Sequence, residues 1–126
     1  MPTIALIDDD PDIVEANRML LEASGYTVVS ANCVDDAIEL VNRTKPDLII
    51  LDVMMQEPDD GFYLANRFRR SGLTFPIIML TSIARSIGFH FGESAMVPIE
   101  EFLEKPASPS LLLEKVHKHL SKVPTL

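Results

Sequence analysis

The chain has 126 residues, of which 47% are hydrophobic and 24% charged, and it carries a formal net charge of −8 at pH 7. That length suits one domain with a real core and is too short for two, and no apolar run approaches the length of a membrane span. The excess of acid argues against direct nucleic-acid binding, which needs Lys and Arg to replace counterions on phosphates.

The first element is an apolar, strand-like run, Thr3–Ile7. No basic region with an apolar signal core precedes it, so a cytoplasmic protein is expected. The run ends in Asp8 and Asp9. Asp10 can cap a first helix with Pro11 at its first position. Ile13, Val14, Met19, Leu20 and Leu21 then form an apolar stripe at helical spacing. Gly25 can close that helix as a left-handed residue after its end.

A second strand-like run covers Tyr26–Ala31. The single Cys33 cannot form an internal disulfide, which fits a reducing compartment, and it reads as a small half-buried residue near a helix start. Val34, Ala37, Ile38, Leu40 and Val41 mark the second helix, and Pro46 stops it. The third strand, Leu48–Leu51, ends in Asp52. Asp59 and Asp60 shape a turn and cap a third helix beside Gly61, with Phe62, Leu64, Ala65 and Phe68 as its apolar face.

The fourth strand, Ile77–Leu80, ends in Thr81. A weaker fifth run, Glu101–Leu103, precedes Lys105. Ser108-Pro109 repeats the cap-plus-proline start for a last helix with Leu111, Leu112, Leu113, Val116 and Leu120 on its apolar side. Residues 1–121 are expected to form the domain and 122–126 a frayed tail.

Strand-helix alternation points to a parallel sheet covered by helices on both faces, with ligands bound at the carboxyl ends of the strands. Asp8, Asp9, Asp52, Thr81 and Lys105 all fall at that one edge. Converging carboxylates repel, and a cation among them relieves this. Oxygen donors without His or Cys suit Mg²⁺. An anionic group on Asp52 would meet the metal, the Lys105 ammonium and the Thr81 hydroxyl together, which is what phosphoryl transfer to a carboxylate needs.

The other polar residues have plainer readings. Asp10 is a helix cap, and Asp12 lies in a first helical turn where negative charge suits the dipole. His90, His117 and His119 sit in no ligand pattern, and His117 and His119 point to different faces of one helix. None looks like a phosphotransfer histidine.

Four segments carry a family resemblance. Ile4-Ala-Leu-Ile-Asp-Asp-Asp-Pro-Asp12, Lys45-Pro-Asp-Leu-Ile-Ile-Leu-Asp-Val-Met-Met55, Ile77-Ile-Met-Leu-Thr-Ser82 and Phe102-Leu-Glu-Lys-Pro106 resemble, in order and near-matching spacing, those of receiver domains of response regulators. The resemblance spans essentially the whole chain. It implies a flavodoxin-like, doubly wound five-stranded parallel sheet of order 2-1-3-4-5. It implies Asp52 as phospho-acceptor, Asp9 as a direct Mg²⁺ ligand and Asp8 mostly through water, with the Met54 backbone carbonyl as a further ligand. Thr81 and Lys105 would contact the phosphoryl group, and Thr81 and Phe102 would be the switch residues, although Phe102 also reads well as plain core. The implied partner is a histidine kinase or histidine phosphotransfer protein, with an unknown protein downstream. The chain would be no enzyme beyond catalysing its own phosphorylation and dephosphorylation.

Two stretches leave the family pattern. The loop after Asp52 reads Met55-Gln-Glu-Pro-Asp-Asp-Gly61, one residue longer than usual and with its proline displaced. Residues 83–99 carry Gly88, Gly92 and Pro98 where the family has its fourth helix, so an atypical region with exposed Phe89 and Phe91 is expected there. Met54 and Ile83, at the positions that tune phosphoryl lifetime in the family, are apolar, which implies slow self-dephosphorylation. Two rival functions remain. One is an aspartyl-phosphate phosphohydrolase, disfavoured because Asp8-Asp9-Asp10-Pro11-Asp12 lacks its Thr/Val and no cap insertion exists. The other is a non-phosphorylated receiver-like interaction module. Either the protein is a single-domain regulator acting by docking, or it belongs to a longer protein.

Overall fold

The computed structural model describes residues 2–52, 60–81, 99, 101–104 and 108–121, with Thr81 described by its backbone alone. Five parallel strands, β1 (Thr3–Ile7), β2 (Thr27–Ala31), β3 (Leu48–Asp52), β4 (Ile77–Thr81) and β5 (Glu101–Glu104), form one sheet in the order β2-β1-β3-β4-β5. The helices are α1 (Pro11–Ala23), α2 (Val34–Thr44), α3 (Asp60–Arg70) and the C-terminal α4 (Pro109–Leu120). The expected strand order therefore holds. The atypical 83–99 segment lies outside the described residues except for Ile99.

Period-two alternation splits the sheet's side chains between two cores. Ala5, Ile7, Ile49, Leu51, Ile77 and Met79 face α2 and α3, where Ala37, Leu40, Val41, Leu64, Ala65 and Phe68 meet them. Ile4, Leu6, Leu48, Ile50, Ile78 and Leu80 face α1 and α4, against Leu21, Leu112 and Val116. Strands buried on both faces read as continuous apolar runs, which is why they were legible.

Local chemistry sets the helix ends. The Asp10 carboxylate accepts hydrogen bonds from the Asp12 and Ile13 amides, 2.9 and 3.4 Å, ahead of Pro11. The Ser108 hydroxyl accepts from the Leu111 amide at 3.2 Å. α1 ends in a Schellman motif: the Gly25 amide donates to Glu22 and the Tyr26 amide to Leu21, with Gly25 at φ +98°. α3 ends in the same way, through Gly72 at φ +86° and the Leu73 amide donating to Phe68. Cys33 is half-buried at the N-cap of α2 and makes no side-chain cap bond.

β2 is an outer strand, and Arg18 of α1 covers part of its open edge. Its guanidinium donates to the Val28 carbonyl at 3.1 Å and to the Ser30 hydroxyl at 2.9 Å. Such cover protects an edge from pairing with another chain. α4 is held through both of its histidines, which do point to different sides. His117 shares a 2.6 Å hydrogen bond with the Tyr26 hydroxyl, and His119 donates to Glu101 at 2.9 Å. No described helix is long and apolar enough to cross a membrane.

Candidate functional site at the carboxyl edge of the sheet

Adjacent strands bring the carboxylates together. Ile7 of β1 pairs with Leu51 of β3, so Asp8 emerges beside Asp52. Each of Asp8, Asp9 and Asp52 places one carboxylate oxygen so that all three lie within 4.8 Å of one another. Asp8 and Asp52 are only 5% and 4% exposed, while Asp9 faces solvent. Asp8 is fixed from two sides: its amide donates to the Ala31 carbonyl at 3.2 Å, and its side chain accepts from the Asp10 amide at 2.9 Å. Asp10 is thereby turned to capping α1 and is not part of the trio.

At such separations two carboxylates repel by roughly 3 kcal/mol at an effective dielectric near 20. A divalent cation offsets this, and the donor set fits Mg²⁺: oxygen only, with a span close to the roughly 3–4 Å between ligands of an octahedral ion with bonds near 2.1 Å. Asp8 and Asp9, but not Asp52, line a groove of about 730 Å³ between α1 and α2, whose walls also carry Glu15, Asp36 and Glu39 against Arg18 and Arg43. This acidic approach favours cations over free anions.

The other expected site residues are placed less fully. Thr81 ends β4 one step beyond Leu80, the register partner of Asp52, and itself pairs with Glu104 of β5. Lys105 follows Glu104 directly in sequence. Lys105 and Met54 lie outside the described residues, as do His90, Asp59 and the loop after Asp52. Asp60 is the first residue of α3, in keeping with a role at the helix start. Phe102 is half-buried and packs on the α2/α3 side of the sheet, its ring 6.2 Å from that of Phe62. That contact was not anticipated, and neither was the cluster of Lys115, Lys118 and His119 around Glu101 at 3.6, 3.8 and 2.9 Å. Both depend on register between distant segments, which local pattern does not carry. Burial opposes ionisation of Glu101, but the His119 hydrogen bond and the charges of Lys115, Lys118 and His119 outweigh it, and the carboxyl is held below its ordinary range.

The fold is a parallel sheet of this order with an acid trio at its carboxyl edge, and comparison with known proteins identifies the class. The chain belongs to the response regulator receiver domain family, whose model matches residues 4–117. It is 34% identical over 110 residues to the alkaline phosphatase synthesis transcriptional regulatory protein PhoP of Bacillus subtilis, covering 84% of this chain and 43% of that protein. It is 35% identical over 124 residues to an uncharacterized 14.6 kDa protein of Leptolyngbya boryana, covering 96% and 92%. The BeF₃-activated N-terminal receiver domain of Klebsiella pneumoniae RstA superposes with a TM-score of 0.83 at 29% identity, covering 95% of this chain and 99% of that one. The chain thus spans about half or less of the transcriptional regulator it matches and nearly all of the smaller relative.

Proposed function

We propose that the chain is the phospho-accepting switch of a two-component phosphorelay. Asp52 takes a phosphoryl group from a phospho-histidine on a histidine kinase or histidine phosphotransfer protein. The observation that carries this reading is the convergence of Asp8, Asp9 and Asp52 at the carboxyl edge of the sheet. An Asp52 carboxylate oxygen attacks phosphorus, the phosphorus–nitrogen bond breaks, and the histidine leaves with its electron pair.

Asp8 and Asp9 with Asp52, and in this reading the Met54 carbonyl, would hold Mg²⁺, which neutralises charge on the transferring group. Asp8, buried and fixed by the Asp10 amide and the Ala31 carbonyl, orients the site. Thr81 donates a hydrogen bond to the phosphoryl oxygens, and Lys105 pairs with them. Phe102, on β5, reports the change through the rotation of its ring. Residues 1–121 act as one receiver unit in the cytoplasm, and output runs through a further protein or domain. The protein performs no turnover on other substrates. Apolar Met54 and Ile83 offer no hydrogen bond to an attacking water, so the phosphoryl group is long-lived.

The state named for the Klebsiella RstA domain suggests the test. Beryllium trifluoride with Mg²⁺ is added to the protein and binding is followed by amide chemical shifts. Saturable shifts at Asp52 and Thr81 that require Mg²⁺ support the reading. Their absence favours a receiver-like module that works without phosphorylation.

A further inference from the structure

Phe102 sits on β5, an outer strand, beside fully buried Met79 of β4. Its ring is half-buried on the face covered by α2 and α3 and meets the ring of Phe62, with centroids 6.2 Å apart and planes at 42°. Side chains occupy discrete staggered wells, and a turn about χ1 carries the Phe102 ring away from that of Phe62. Phe62 lies in the first turn of a helix whose backbone is anchored by buried Leu64, Ala65 and Phe68.

We infer that Phe62 is a positioning residue for Phe102: its ring holds the Phe102 ring against α3 and sets how often that ring leaves before any phosphorylation. α3 begins at Asp60, shortly after Asp52 in the chain, so Phe62 joins the segment after the acceptor to the strand that ends before Lys105. The regulatory meaning rests on the proposed role of Phe102 as readout residue, but the contact does not. A tilted aromatic pair biases such an equilibrium roughly two- to tenfold.

The test uses the full chain, labelled with ¹³C and ¹⁵N and without added metal or beryllium fluoride. Three-bond couplings from Phe102 Cγ to its backbone nitrogen and carbonyl carbon report χ1 populations directly, free of the ring-current change that removing Phe62 itself causes. The wild type and Phe62→Tyr are expected near a single well. Phe62→Ala is expected to average between wells, with the minor well populated roughly two- to tenfold more. Unchanged couplings in folded Phe62→Ala overturn the inference, as does a Phe62→Tyr variant that averages like Phe62→Ala. Should Phe62→Ala not fold, Phe62→Leu keeps apolar bulk without the ring and is judged by the same criterion. Adding Mg²⁺ and beryllium fluoride to the wild type then tests the Asp52 reading separately, since failure to form that complex leaves the rotamer comparison intact.

Discussion

Removing charge from Asp52 is expected to stabilise the protein in the absence of metal, although it destroys the proposed activity. Asp8 and Asp52 are both buried and place carboxylate oxygens within 4.8 Å of each other. At an effective dielectric near 20 their repulsion is roughly 3 kcal/mol. Neighbouring dipoles and cations relieve part of this, so the net gain for Asp52→Asn is set at about 1–2 kcal/mol. For a domain of this size that corresponds to a melting point raised by roughly 4–8 °C in EDTA at pH 7. Mg²⁺ should reverse the order of effects. It stabilises the wild type by RT ln(1 + [Mg²⁺]/Kd), and the variant, with one ligand weakened, gains less. Thermal denaturation followed by circular dichroism, with EDTA and with Mg²⁺, reads both quantities. An Asp52→Asn protein that melts at or below the wild type in EDTA, or gains as much from Mg²⁺, would refute the electrostatic reasoning.

Two further outcomes follow from the frame that supports the site. Glu101→Gln should destabilise by about 1 kcal/mol near neutral pH, because Lys115, Lys118 and His119 lose their shared anion. The Glu101 carboxyl is held below its ordinary 4.5, so its stabilising effect is present above pH 4.5 and fades as pH falls through the folded value; urea titrations of both proteins across that range should converge in acid. Gly72→Ala should cost about 1 kcal/mol through backbone strain alone, since the added methyl meets nothing within 4 Å but the residue sits at φ +86°; equal denaturation midpoints for the two proteins would contradict this.

Much of the fold could be read from residues whose chemistry is local. Asp10-Pro11 and Ser108-Pro109 start helices as expected, because a cap and an N-terminal proline act within one turn. Gly25 takes the expected left-handed conformation, but the same motif moves the start of β2 from Tyr26 to Thr27, since the Tyr26 amide is spent on Leu21. β3, β4 and β5 each run one residue further than the apolar pattern, to Asp52, Thr81 and Glu104, because laddering continues after the hydrophobic signal stops. The meeting of Asp8, Asp9 and Asp52 was legible only because strand order puts β1 beside β3. Nothing local announces that Phe62 meets Phe102 or that His119 finds Glu101: these pairs are 40 and 18 residues apart in sequence and come together through tertiary packing alone.

The most direct measurement of the central claim is the intact mass of the protein after incubation with a small phosphodonor such as acetyl phosphate and Mg²⁺. One added phosphoryl group is expected, located on Asp52 by peptide mapping after borohydride trapping, and absent from Asp52→Asn and from samples in EDTA. A protein that stays unmodified under those conditions, or carries its phosphate on another residue in the wild type, would contradict the account.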